Sequence, residues 1–399
     1  MIPVQAFKSV PFSEIFASLD FHRVAVEISG AEAYRHASNR SGKVVPAAHS
    51  GYSTDDARRA LDAEPGRLTD EELKALLSPA ADPLLEEIAV RARDITRRRF
   101  GNTIQLYAPL YLSNECRSSC TYCGFSHENR IRRKTLTEEE ILREADYLYR
   151  EGIRHILLLT GEDYHHTPLS YISGAASLIG DRFASIGVEV YPLKEEEYAT
   201  LRNSGVDSLT VYQETYDPER YAEVHRRGVK KRMRFRLECP DRGGAAGMRR
   251  IAIGALLGLS DPAAEVYMVA RHARHLMRNY WRTQISVSLP RLRFAEGFEK
   301  VPGIPDRMFV RLLSALRLYL PDAGILLSTR ETPGMRDNLA GLCVTTMSAG
   351  SRTDPGGYTG ESGSRQFDIE DTRSVSAIRA MLIKRGLDPV CVDWAAEMK

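Results

Sequence analysis

Residues 103–125 read TIQLYAPLYLSNECRSSCTYCGF. The first ten are β-branched, aromatic and aliphatic for the most part, the composition of a strand covered by its neighbours. A polar break at Ser113, Asn114 and Glu115 ends the run, and Cys116, Cys120 and Cys123 follow within eight residues. A buried strand thus leads straight into a thiol-rich loop.

Downstream, short apolar runs recur: HILLLT, VEVYPL, DSLTVYQ, IAIGALLGL, QISVSLP, ILLSTR and CVTTMS. Amphipathic stretches separate them, among them TEEEILREADYLYREG, DPERYAEVHRRG, DPAAEVYMVARHARHLMRNYW and PDRMFVRLLSALRLYL. Strands alternating with helices mark a parallel sheet with crossover helices. Eight strands predict an α/β fold of the closed (βα)8 barrel type, with a doubly wound open sheet as the alternative. Nearly every run ends in polar residues, as in SNEC, TGE, QET, GLSD, PRLR, TRE and SAGS. Barrel sites gather at the carboxyl ends of strands, so these ends predict one shared mouth.

Upstream, residues 1–99 read as a mainly helical extension. Thr69 and Glu72 in LTDEELKALLS form a capping box, and DPLLEEIAVRARDITRRRFG closes on Gly101. Ala31 to Thr54 is weakly periodic and reads as a loop or mobile segment. The expected organisation is a helical extension over 1–99, a barrel over 100–358 and a C-terminal extension over 359–399 that packs on the barrel.

Composition bounds the function. The 399 residues carry 55 Lys and Arg against 53 Asp and Glu, for a net charge of +2, and 43% are hydrophobic. That balance argues against a protein built mainly to neutralise nucleic-acid phosphates. No apolar run approaches the roughly 20 residues of a membrane span, and MIPVQAFKSVPFSEIF lacks the charged and apolar regions of a secretory signal. A soluble cytoplasmic protein with no nucleic-acid or membrane partner is expected.

Of six cysteines, three are clustered and Cys239, Cys343 and Cys391 are scattered. So few in a long chain do not make a disulfide framework. A structural zinc site takes four ligands, and no fourth Cys or His occupies a matching local position. Three thiolates instead suit a four-iron cluster with one iron left open for another ligand. A zinc-holding barrel without redox chemistry is the alternative.

C-x3-C-x-aromatic-C resembles the signature of the radical S-adenosylmethionine (SAM) enzymes, in which the open iron holds SAM. GNTIQLYAPLYLSNECRSSCTYCGFSHENRIRRK is similar to the aromatic-amino-acid lyase branch, and within it to the 2-iminoacetate synthases of thiamine thiazole biosynthesis. LLLTGE, VYQETY, RLECPDR, GALLGLSD, SVSLPRLR, LSTRE and PGGY continue the likeness in order.

The resemblance implies cleavage of L-tyrosine to 2-iminoacetate (dehydroglycine) and p-cresol. It implies a 4Fe-4S cluster on Cys116, Cys120 and Cys123. It places Tyr122 against the adenine of SAM, Glu162 on its ammonium, Glu214 near its ribose or amino group, and Arg242 on its carboxylate. Arg330 and Ser348 would clamp the substrate carboxylate, with Tyr111 nearby. One arginine of the pair Arg291 and Arg293 would point inward. The implied partners are a low-potential reductant of flavodoxin or ferredoxin type and the thiazole synthase ThiG.

Three positions depart from the expected pattern. Phe294 stands where proline is expected after PRLR, Cys239 where threonine is, and Val392 where lysine precedes DW. Two related activities fit less well. The hydrogenase-maturation tyrosine lyase carries a second cluster motif, and only Cys391 follows residue 343 here. The tryptophan lyases lack the match around GFSHENRIRRKTL and RLECPDR.

Overall fold

A computed structural model describes residues 10–30, 51–298, 303–360 and 362–392. Eight parallel strands close on themselves: Thr103–Ser113, His155–Thr160, Ser185–Glu189, Ser208–Glu214, Arg250–Ala255, Gln284–Ser288, Gly324–Leu327 and Thr346–Ser348. Closure comes from pairing of the first strand with the eighth, with Tyr107 opposite Ser348. The fold is the (βα)8 barrel that the sequence predicts. A short strand, Asp388–Val390, adds to the amino end of the first.

Two predicted elements shift. The third strand ends at Glu189 instead of running through Leu193, because pairing with His155–Leu159 fixes its register upstream. The helix expected over DPERYAEVHRRG covers only Pro218–Val224, and His225–Arg227 becomes a strand against Ser119–Cys120. Helical periodicity reads the same through this segment. A long-range partner decides where it breaks.

Capping behaves as the sequence predicts. Thr69 accepts from the Glu72 amide at 3.2 Å while Glu72 accepts from the Thr69 amide at 2.7 Å. Thr137 and Glu140 repeat the exchange, each cap worth about 1 kcal/mol. The helix Leu85–Phe100 packs on Asp306–Tyr319, joining the N-terminal helices to the outer layer of the barrel. Residues 31–50 of the expected loop lie outside the described residues; Ser53 caps the helix Thr54–Asp62.

The lower barrel holds a second cavity, where the small residues Ser185, Gly187, Ser208, Ala252 and Ser286 leave space beside Ile156, Ile251 and Leu326. It shares Tyr107, Leu157 and Tyr212 with a cavity at the carboxyl end. Among the described residues, no helix is long and apolar enough to cross a membrane.

Candidate active site

The upper cavity, about 820 Å³ with its mouth included, sits where the strand ends converge. Of the residues picked out in the sequence, Tyr111, Tyr122, Cys123, Glu214, Arg330 and Ser348 line it. Residues beyond 358 contribute as well: Gln366 and Phe367 form part of the wall.

The cysteine loop lies at the edge of this cavity. Its three thiols are unbridged, Cys120 buried and the other two partly so. Burial pushes Cys116 up to about 12, with Glu162 and Cys123 adding to the shift. Burial raises Cys120 and Cys123 as well, and the Lys230 ammonium offsets part of that rise. Backbone closeness sets the loop in place. A Cβ on Gly161 would stand 2.1 Å from the Glu115 carbonyl oxygen, so only glycine lets the second strand end pass the loop. Arg133 holds the far side by donating to the Phe125 and Ser126 carbonyls at 2.8 and 2.7 Å. Three thiols on one bend, with a cation beside them and no fourth cysteine in the loop, fit a cluster with an open iron.

Behind the loop stands a charged group that the motifs only half reveal. Glu162 accepts from Ser118 Oγ at 2.9 Å and from Arg236 Nη1 at 3.0 Å. Glu214 accepts from Lys230 Nζ at 2.6 Å and lies 3.8 Å from Arg236 Nη2. Glu214 has φ of 71° at a bulge in the fourth strand, a left-handed conformation unusual for a non-glycine residue. Tyr122 donates to His225 Nε2 at 2.7 Å, while His225 Nδ1 donates to the Tyr221 carbonyl at 2.9 Å. Burial holds that imidazole neutral, with its pKa near 2.

Arg242 is a correction. Its guanidinium donates to the Leu193 and Phe235 carbonyls at 2.7 and 2.6 Å and stacks on Phe235, and it does not line the cavity. The helix Cys239–Ala245 packs against Glu195–Asn203, so its arginine serves the outer layer. Arg236, six residues earlier, is the buried cation that meets the two acids. The stretch RFRLECPDR offers several arginines, and only burial separates them. Lys230 was equally hidden in the basic run HRRGVKKRMR.

Neither arginine of PRLR points inward. Arg291 bonds Glu331 at 3.0 Å and Asp306 at 2.7 Å, and Arg293 lies 3.5 Å from Glu331 and 3.3 Å from Glu370. Cys239 is buried and meets the Tyr198 hydroxyl at 2.6 Å, far from a ligand role. Phe294 and Val392 are exposed.

The substrate side of the cavity holds two unsatisfied charges. Arg330 has no ion pair or side-chain hydrogen bond among the described residues; its guanidinium stacks 3.4 Å over the Phe367 ring. Glu189, at the end of the third strand, has no polar partner among the described residues either, and burial followed by the Glu214 charge raises it to about 7. Around them stand the rings of Tyr107, Tyr111 and Tyr212. Tyr111 donates to Gln366 Oε1 at 2.8 Å. The buried Ser351 hydroxyl on the same wall has no partner. Glu189 was missed because a single Glu in SIGVEVYPL carries no motif.

Comparison with known proteins places these features in a family. The profile of the Radical SAM superfamily matches residues 110–273, and that of the Biotin and Thiamin Synthesis associated domain matches 288–388. The chain is 44% identical to the 2-iminoacetate synthase of Escherichia coli (strain K12) over 348 residues, 86% of this chain and 92% of that one. The crystal structure of the FeFe-hydrogenase maturase HydG from Carboxydothermus hydrogenoformans superposes with a TM-score of 0.82 at 32% identity, covering 98% of this chain and 87% of that one. Methylornithine synthase (PylB) shares the fold at a TM-score of 0.66 and 21% identity, over 84% of this chain and 97% of its own. With this extent of identity and this cysteine loop, the chain belongs to the 2-iminoacetate synthase family of radical SAM enzymes.

Proposed function

We propose that the chain cleaves L-tyrosine between Cα and Cβ, giving 2-iminoacetate and p-cresol. The observation that carries this reading is the pair Arg330 and Glu189. One unpaired cation and one unpaired anion face the cavity at the strand ends, which is ringed by tyrosines. A buried charge without a partner is costly, and an aromatic amino acid in its zwitterionic form satisfies both.

In this reading Arg330 grips the substrate carboxylate, its plane held by Phe367, and Ser348 and Ser351 supply hydroxyl donors from the wall. Glu189 accepts from the substrate ammonium. Tyr107, Tyr111 and Tyr212 pack the aromatic ring and exclude water. Cys116, Cys120 and Cys123 hold a 4Fe-4S cluster. SAM lies beside it with Tyr122 against the adenine, Glu162 and Glu214 toward its amino and ribose groups, and Arg236 in the role expected of Arg242. When bound, cluster and SAM supply the electron and the hydrogen-abstracting radical. The polypeptide supplies orientation and a dry site.

The setting we favour is thiamine thiazole synthesis in the cytoplasm. 2-Iminoacetate hydrolyses readily, which favours direct delivery to the thiazole synthase ThiG. The test is anaerobic reconstitution with iron, sulfide and reductant, followed by assay of p-cresol from tyrosine with SAM present. A four-iron absorption spectrum with p-cresol release supports the reading. A product derived from tryptophan and none from tyrosine overturns the substrate; one zinc per chain and a colourless protein overturn the chemistry.

A further inference from the structure

The cysteine loop has two faces. Cys123 lines the internal cavity, whereas the partly buried Cys116 lines an open groove on the outer surface with Arg117, His127, Arg130 and Arg133. The surface beside this groove is basic well beyond its lining. The strand His225–Arg227 sets Arg227 opposite Ser119 of the loop. A Cβ on the next residue, Gly228, would stand 2.3 Å from Ser118 Oγ, so the basic run and the cysteine loop are in direct contact.

Within residues 115–132 and 225–231, Arg117, Arg130 and Arg132 on one segment and Arg226, Arg227 and Lys231 on the other are exposed, against the single exposed acid Glu128. The whole chain has a net charge of only +2, so the excess is local. Two acids line the groove: Asp163 is buried and engaged by Arg117 at 3.3 Å and His166 at 3.0 Å, and Glu115 is partly buried beside Cys116. Arg130, Arg132, Arg227 and Lys231 make no ion pair among the described residues.

We propose that this basic face is the docking surface of an acidic one-electron carrier protein. The proposal rests on the reading that the three cysteines hold a redox cluster. Electron transfer weakens exponentially with distance, so a protein donor must come close to the cysteine loop. The internal cavity is far too small to admit one; the groove at Cys116 brings a donor against the loop from outside. In the transfer the donor is oxidised by one electron and the cluster reduced by one, with no bond made or broken. Unpaired surface cations around that entry point attract a negatively charged carrier and fix its orientation.

The test uses the reconstituted full chain, a flavodoxin of net negative charge as probe, and two charge-reversal pairs, R130E/R132E and R227E/K231E. We expect each pair to lower the flavodoxin-driven turnover and the flavodoxin affinity by about tenfold at low salt, with the difference shrinking as salt rises. Dithionite-driven turnover should stay within about twofold of the unsubstituted enzyme, since a small reductant needs no docking face. Unchanged flavodoxin affinity in both pairs overturns the proposal, as does an equal fall with both reductants. A single-stranded RNA oligonucleotide that binds this face more tightly than flavodoxin also overturns it. If the unsubstituted enzyme shows no turnover even with dithionite, the lyase reading fails instead. The docking face is then judged by flavodoxin affinity alone, which salt and charge reversal must still weaken.

Discussion

Arg236 and Glu162 form a buried ion pair, Nη1 to Oε1 at 3.0 Å, immediately behind the cysteine loop. The same guanidinium lies 3.8 Å from Glu214. Arg236 therefore lies between both acids assigned to SAM, bonding Glu162 while Lys230 bonds Glu214 at 2.6 Å. Removing one partner of such a pair leaves uncompensated buried charge and costs roughly 3–5 kcal/mol. Arg236→Met should lower the melting temperature and abolish measurable SAM binding. Adding Glu162→Gln should recover part of the stability but none of the binding; calorimetry and SAM titration check both.

Arg330 depends on a planar, bidentate grip rather than on charge alone. Arg330→Lys keeps the charge and loses the fork. We expect kcat/KM for tyrosine to fall by about 100-fold, mostly through KM. SAM affinity should change little, because Glu162, Glu214 and Arg236 are untouched. Steady-state kinetics with a SAM binding assay separates the two effects.

Glu189 must be ionised to accept the substrate ammonium. Burial raises it to about 7, so protonation switches it off below that pH. The kcat/KM for tyrosine should rise with pH through a limb near 7, since this ratio reports groups of the free enzyme. Glu189→Gln should give a low profile without that limb. A limb that survives the substitution assigns the titration to another group.

Glu265 gives a pH dependence of stability away from the chemistry. It is fully buried and accepts from the Tyr216 amide at 2.9 Å and from Thr215 Oγ1. Burial is the largest cause of a rise to about 8 from the usual 4.5. The folded state thus holds this proton more tightly than the unfolded chain. Its stabilisation is complete below about 4.5 and is lost as pH rises through about 8. Glu265→Gln should flatten the decline in melting temperature over that interval, which a pH series of thermal melts will reveal.

Gly161 tests how the cysteine loop is seated. Gly161→Ala places a Cβ against the Glu115 carbonyl, and backbone cannot move aside as a side-chain tip can. Iron bound per chain after reconstitution should fall by at least half, with the absorption band reduced in proportion.

The barrel and its cluster of thiols were legible because both are local. Strand runs have their own composition, and Cys116, Cys120 and Cys123 lie within eight residues of the chain. Six of the ten site residues named from motifs line the cavity. Glu162 stands behind the loop in contact with Ser118 and Arg236, and Cys116 and Cys120 belong to the loop itself. What escaped were Glu189, Lys230, Arg236 and Gln366, lone polar residues with no spacing rule to mark them. Arg242 misled for the same reason, since one arginine in RFRLECPDR looks like another until burial is known.

By itself the sequence determined the alternation of strand and helix, the cluster of thiols and the family, because these are carried by residues near one another along the chain. Only the tertiary structure decided which arginine meets the acids, that a predicted helix yields His225–Arg227 to pairing with the cysteine loop, and that Arg330 and Glu189 face one cavity without partners. Those outcomes depend on burial and on contacts between residues far apart in the chain, 74 positions for Arg236 and Glu162, and the energy of a charge is set by what surrounds it in space.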